Sequence, residues 1–206
     1  MTAHPPTSAI VLAGGRSRRL GQDKALLDLG QGPLLVHTVT LASQLCPDVV
    51  VVTDLPGRYR HLGLDVRWAC DRIAGAGPLA GLEAGLQTIQ HDFALLLACD
   101  YPFLDPRLLG YMLARPRDYE ALVPLWEGRW HPLQAVYARS CLPVVQEALS
   151  KGERSMEALL SRLQLRAVTA QEIRLIDPQG LSLFNLNTPQ DLAWARSLLA
   201  QRAQGG

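Results

Sequence analysis

The sequence predicts an α/β protein of the three-layer, Rossmann-like kind, with a mostly parallel central sheet and helices on both faces. Two observations carry that expectation. Apolar runs of strand length alternate with stretches of helical period along the whole chain, as βαβ units do. The 206 residues contain nothing that resembles a linker, so they match one domain with a sizeable core better than two small ones.

In chain order, Ala9–Leu12 is a buried strand whose core is Ile10–Leu12, and Leu34–Leu45 follows as a helix. Val49–Thr53 is the second strand and Val66–Ala69 a short third. Leu79–Ile89 reads as a helix entered through Gly77-Pro78, with proline near its first turn. Phe93–Cys99 is the most apolar run and belongs in the middle of the sheet. Pro106–Ala114 is a helix, Ala121–Leu125 a strand, and Gln134–Ala138 a strand with an antiparallel option. Leu142–Leu149 and Ser155–Leu163 are helices, Leu165–Val168 and Leu183–Leu186 strands, and Pro189–Leu199 the closing helix. The first seven residues and the last five or so read as frayed ends of a single domain, 1–206.

With 20 basic and 19 acidic side chains the net charge is +1, so no global field recruits nucleic acid or an anionic membrane. Anion binding must be local. Cys46, Cys70, Cys99 and Cys141 form no C-x-x-C pair, which argues against structural zinc and a disulfide framework and for reduced thiols in the cytoplasm. There is no signal-peptide pattern and no apolar stretch of membrane-spanning length.

Ligands of open α/β sheets collect beyond the carboxyl ends of the strands, so the residues just after each apolar run carry the functional information. After Leu12 come Gly14, Gly15, Arg16, Arg18, Arg19 and Lys24: glycines that let the backbone turn its N–H groups toward an anion, then the cations to neutralise it. The spacing fits neither the Walker loop nor G-x-G-x-x-G. After the most apolar strand stands Asp100, whose partner is either Mg²⁺ or the N-terminus of the helix at Pro106. Asp71 ends the third strand, and Gly75-Ala76-Gly77-Pro78-Leu79-Ala80-Gly81 feeds the next helix, either as a close-approach loop for a ligand or as a bland connection. In Asn185-Leu186-Asn187-Thr188-Pro189-Gln190-Asp191-Leu192, Thr188, Pro189 and Asp191 form a capping-box-like helix start, leaving Asn185 or Asn187 to point into a cleft. His131, flanked by Trp126 and Trp130, is a weaker candidate for an acceptor pocket.

Residues 12–24 resemble, position by position, the signature L-A-G-G-x-S-x-R-[ML]-G-x-D-K of nucleotidyltransferases that act on sugar phosphates and molybdopterin: Leu12, Ala13, Gly14, Gly15, Ser17, Arg19, Leu20, Gly21, Asp23 and Lys24 all fall on it. Cys99-Asp100-Tyr101-Pro102-Phe103-Leu104, the G-P-L-A-G string and the closing N-L-N-T-P-Q-D-L are similar, in the same order, to molybdenum cofactor guanylyltransferases. That resemblance implies transfer of GMP from GTP to Mo-molybdopterin with release of pyrophosphate. It implies Mg²⁺ on Asp100, and Arg19 and Lys24 stabilising the α-phosphate and pyrophosphate. GTP would lie on Leu12, Ala13, Gly14, Gly15, Lys24, Asp71 and Asp100, in a nucleotide half of about residues 8–104. His131, Asn185 and Asn187 would face the acceptor in a half of about 105–200. The family often has asparagine after the second strand; this chain has Val52-Thr53-Asp54, and Thr53 is entered as a GTP contact. Proteins of molybdenum cofactor assembly and acceptor molybdoenzymes are the implied partners. The rival readings are CMP transfer to molybdopterin, nucleotide transfer to a sugar or polyol phosphate, and a non-catalytic GTP-binding adaptor.

Overall fold

In the computed structural model, which describes residues 4–14, 23–71 and 77–204, the strand runs of the sequence assemble into one eight-stranded sheet. β1 (Ser8–Leu12) lies between β2 (Asp48–Thr53) and β4 (Phe93–Ala98), parallel to both, and β3 (Arg67–Cys70) extends the parallel set beyond β2. The second half adds β5 (Ala121–Trp126), β6 (Arg129–Trp130), β7 (Gln134–Ala138) and β8 (Leu165–Val168). β7 runs antiparallel between β4 and β5, so the antiparallel option for Gln134–Ala138 is the one adopted. β8 is parallel to β5, and β6 folds back on β5.

Side-chain alternation along each strand divides the core in two. Ala9, Val11, Val49, Val51, Leu95 and Leu97 face one layer, which holds α1 (Leu34–Leu45), α3 (Pro106–Leu113) and the short α6 (Ala170–Arg174). Ile10, Leu12, Val50, Val52, Ala94 and Leu96 face the other, made by α2 (Pro78–Thr88), α4 (Leu142–Ser150) and α5 (Met156–Leu160). Both faces are therefore covered, and the inner strands read as unbroken apolar runs for that reason. A smaller cluster of Leu27, Leu34, Leu186, Leu192 and Ala195 seats α7 (Pro189–Gln204) against the loop before α1.

The strand expected at Leu183–Leu186 does not form. Leu181–Leu183 is a 3-10 turn, and the segment after it is extended but carries a single ladder-like bond, Leu186 N–H to Asp100 O at 2.9 Å. A segment that crosses strand ends has no neighbouring edge to pair with. Besides short 3-10 helices, one strand and one α-helix are additional to the expected ones among the described residues: β6, made by a Glu127-Gly128 turn with both residues at positive φ, and α6, started by a capping box between Thr169 and Glu172. All four cysteines are free thiols, and no helix among the described residues is long and apolar enough to cross a membrane.

The G-P-L-A-G string has a packing function that the sequence does not reveal. Gly81 and Gly85 stand one above the other on the face of α2 that meets β1. A Cβ on Gly81 would come to 2.8 Å from the Leu12 side-chain tip, and one on Gly85 to 2.6 Å from Ile10 Cγ2 with two further Ile10 carbons under 3.0 Å. Ile10 is β-branched and fully buried, so it cannot swing aside, whereas Leu12 can move its terminal methyl. We expect Gly85→Ala to lower the thermal midpoint, the overpacking cost of about 1–3 kcal/mol exceeding the gain in helix propensity of roughly 1 kcal/mol. Gly81→Ala should stay near wild type; the reverse order in a denaturation series would contradict this packing.

Candidate active site

The register of the parallel strands brings the predicted loops to one end of the sheet. Leu12 pairs with Val52 on one side and Ala98 on the other, and Val52 pairs with Ala69, so residues 13–14, 53–54, 70–71 and 99–100 all leave the sheet together. Backbone bonds continue the ladder just past the strands: Ala13 N–H to Val52 O at 2.8 Å, Cys99 N–H to Leu12 O at 3.2 Å, and Asp71 N–H to Thr53 O at 3.3 Å.

At this end Lys24, carried on the 3-10 turn Lys24–Leu26, donates from Nζ to Asp100 Oδ2 at 2.9 Å and to Asn187 Oδ1 at 3.2 Å. The three residues are 76 and 163 positions apart in sequence. Asp100 and Lys24 are both mostly covered, with side-chain exposures of 17% and 18%. The second carboxylate oxygen, Asp100 Oδ1, is buried and accepts no hydrogen bond among the described residues. Asp100 does not cap α3, since Asp105 takes that position by accepting from Arg107 N–H at 2.8 Å. The helix terminus is therefore not the partner of Asp100; the partner it has among the described residues is Lys24.

The two asparagines divide their tasks. Asn187 is exposed and joins Lys24, whereas Asn185 turns to the buried Tyr101, its Oδ1 left without a partner among the described residues. Burial and the Asp100 charge hold the Tyr101 hydroxyl well above the usual tyrosine range, so it stays protonated. Thr188 and Asp191 form the expected capping pair: Asp191 Oδ2 accepts from Thr188 N–H at 2.7 Å and Asn187 N–H at 2.8 Å. The cap fixes the backbone of Asn187 and so aims its side chain.

Thr53 is buried, and its hydroxyl accepts from Leu55 N–H at 3.2 Å, so its side chain closes a local turn. The exposed group at the end of β2 is the next residue, Asp54, whose Oδ1 lies 3.9 Å from where a Cβ on Gly14 would stand. A Cβ at Gly14 would make only ordinary contacts of 3.8 Å or more with described atoms. Leu12 and Ala13 are buried at the start of the loop. Arg19 and Gly15, both expected in the site, lie outside the described residues.

His131 is not drawn into this group. Its backbone closes the hairpin, donating to Pro124 O at 2.9 Å and accepting from Gln134 N–H at 3.1 Å. No hydrogen bond or ion pair among the described residues joins it to Lys24, Asp100 or Asn187. Burial and the Arg129 charge hold its imidazole below the usual value, so it is neutral at neutral pH. Trp126 is a packing residue, covered by the Arg174 guanidinium at 5.1 Å.

A carboxylate whose second oxygen has no partner among the described residues, a lysine and backbone turns thus gather at the carboxyl ends of parallel strands, where open α/β sheets bind their ligands. Residues 9–168 match the family model described as "MobA-like NTP transferase domain". A "Probable molybdenum cofactor guanylyltransferase" of Nostoc sp. is 38% identical over 90% of this chain and 88% of its own length, and one of Pelotomaculum thermopropionicum is 32% identical over 97% and 96%. The crystal structure of "Molybdopterin-guanine dinucleotide biosynthesis protein A" from Archaeoglobus fulgidus superposes with a TM-score of 0.83 at 27% identity, covering 95% of this chain and all of that one. The chain belongs to the MobA-like NTP transferase family.

Lys24 and Asp100 compensate one another in a largely dry place, so the loss of one leaves the other uncompensated. We expect Lys24→Met to reduce folding stability by about 1–3 kcal/mol. Adding Asp100→Asn should recover part of that loss. Strictly additive effects in chemical denaturation would show that the two groups are not coupled.

Proposed function

We propose that this protein is a molybdenum cofactor guanylyltransferase: it transfers GMP from GTP to Mo-molybdopterin, forming the guanine dinucleotide and releasing pyrophosphate. The observation that supports the reading most is the Lys24–Asp100 pair, in which a cation is held at the strand ends beside a carboxylate whose second oxygen has no partner among the described residues. The names of the relatives supply the substrates; the geometry supplies groups suited to a phosphate chain.

The acceptor's terminal phosphate oxygen attacks the α-phosphorus of GTP in line. The bond from that phosphorus to the oxygen bridging to the β-phosphate breaks, and its electron pair leaves with pyrophosphate. No group on the protein becomes covalently attached. Lys24 turns its ammonium from Asp100 to the phosphate oxygens and stabilises the charge that develops, a role that the resemblance gives to Arg19 as well. Asn187 keeps a polar hold on Lys24 as it moves. The Ala13–Gly14–Gly15 backbone takes the nucleotide at close range; Gly14 meets no steric demand from its described neighbours, which fits a glycine kept for a ligand.

Asp100 fits a divalent cation. Its buried Oδ1, without a partner among the described residues, is a hard donor of the kind Mg²⁺ takes, and no cluster of three or more His, Cys, Asp or Glu among those residues could hold a cation unaided. Phosphate oxygens and water would complete the shell. A Mg²⁺ bound there supplies Lewis-acid neutralisation of phosphate charge. Asp54 and Asp71, at the ends of β2 and β3, are assigned to the nucleoside, Asp54 replacing Thr53 in that role. Residues 8–104 form the nucleotide half and 105–200 the acceptor half, where the exposed Asn187 is the first candidate to meet the pterin, ahead of Asn185, which turns to Tyr101, and of His131. The place of such an enzyme is the cytoplasm, with assembly proteins and molybdoenzymes on either side of it.

Titration calorimetry with GTP, CTP and ATP, each with Mg²⁺, tests the assignment. GTP should bind at least about tenfold more tightly than the others, and Asp100→Ala should weaken it by a further factor on the order of ten. Preference for CTP would move the protein to the cytidylyl branch, and GTP binding unchanged in Asp100→Ala would remove Asp100 from the site.

A further inference from the structure

Behind Lys24 stands a set of side chains that the chemistry above does not use. Asp23 Oδ1 accepts Ala25 N–H at 3.0 Å and so caps the turn that carries Lys24. Its Oδ2 accepts the Tyr59 hydroxyl at 2.9 Å and Arg58 Nη1 at 3.1 Å. Tyr59 is 1% exposed and stacks parallel to Trp68 of β3, with ring centroids 6.4 Å apart. Arg58 and Tyr59 belong to the 3-10 helix Pro56–Leu62, which starts just after Thr53 and Asp54.

Each element of this arrangement has a physical consequence. A carboxylate that accepts from an amide, a phenol and a guanidinium is fixed in position, because charge-assisted bonds are short and strong. A lysine ammonium on a flexible stem needs a fixed backbone to be delivered reproducibly to one point. Asp23 gives the backbone of Lys24 that anchor. The other end of the tether is a buried ring packed on the sheet, and the chain between them leads directly to the end of β2.

We propose that Asp23 is a positioning residue: through Tyr59 and Arg58 it fastens the backbone of Lys24 to the segment leaving β2, so that the base of the phosphate-facing lysine and the nucleoside-facing end of β2 keep one fixed separation. A nucleotide that engages both ends meets them already spaced. The proposal rests on the reading of Lys24 as the cation that meets the nucleotide phosphates.

The test is a double-mutant cycle on GTP binding in the presence of Mg²⁺, read by calorimetry, with Tyr59→Phe, Asp23→Ala, Asp23→Asn and Lys24→Ala. In the wild-type background Tyr59→Phe should weaken GTP on the order of tenfold and Asp23→Ala up to about a hundredfold, because a displacement of about 1 Å is enough to lose that much. Asp23→Asn, which keeps an acceptor oxygen, should fall between wild type and Asp23→Ala. In the Lys24→Ala background the same substitutions should change GTP binding by less than about twofold, since the group they position is gone. A purely architectural tether would weaken binding by the same factor in both backgrounds; that result, or no effect in either, overturns the proposal. Should Asp23→Ala fail to fold, the cycle of Tyr59→Phe with Lys24→Ala decides alone. If Lys24→Ala itself binds GTP as the wild type does, the reading of Lys24 fails first, and that failure is visible in the single variant.

Discussion

Leu12 lies opposite Val52 on one side and Ala98 on the other, and this register decides which residues leave the sheet together. Slipping β1 by one residue would turn Ile10 and Leu12 toward α1 and Val11 toward α2, and would separate the glycine loop from Asp100. Two devices hold it in place. The alternation of side chains commits each strand to a pair of apolar layers, and Gly81 and Gly85 let α2 settle on Ile10 and Leu12 without an intervening methyl. The glycine loop and its neighbours thus start from a base that cannot shift without emptying both cores.

On that base the site is assembled by electrostatics among three remote segments. Lys24 satisfies one oxygen of Asp100 and borrows a second acceptor from Asn187, which the Thr188–Asp191 cap aims. Among the described residues Lys24 meets Asp100 Oδ2, while Asp100 Oδ1 is buried and has no hydrogen-bond partner. At the opposite ends of the strands the same chemistry is used to different purpose. Asp48 is fully engaged by Ser8, Arg67 and the Gln90 amide, and these bonds hold its carboxyl below the usual range against the effect of burial. That carboxylate has no free oxygen and is structural.

Much of this was legible in the sequence, for identifiable reasons. Buried strands write themselves as apolar runs, so the strands from Ile10 to Val168, β6 excepted, are found within a residue or two. Lys24, Asp100 and Asn187 sit in motifs whose residue types their chemistry demands. Other features stayed hidden. The expected strand at Leu183–Leu186 has the right alternation but no edge to pair with, and pairing is not a local property. Thr53 and Asp54 are equally polar in the sequence, and only the direction of the strand end shows that Thr53 turns inward. The Asp23–Tyr59 bond joins residues 36 positions apart with no motif between them, and the need for small residues at Gly81 and Gly85 depends on Ile10 and Leu12 across the layer. The capping box of α6 and the Glu127-Gly128 turn carry local signals, although neither α6 nor β6 is among the expected elements.

The central claim is that the strand-end site joins GMP to a molybdopterin phosphate. Incubating the protein with Mo-molybdopterin, Mg²⁺ and an equimolar mixture of GTP and CTP, and identifying the dinucleotide by mass spectrometry, tests it directly. The account predicts the guanine dinucleotide with stoichiometric pyrophosphate, and its loss when Lys24 is replaced by alanine. A cytosine dinucleotide, or pyrophosphate released without any molybdopterin product, would contradict it.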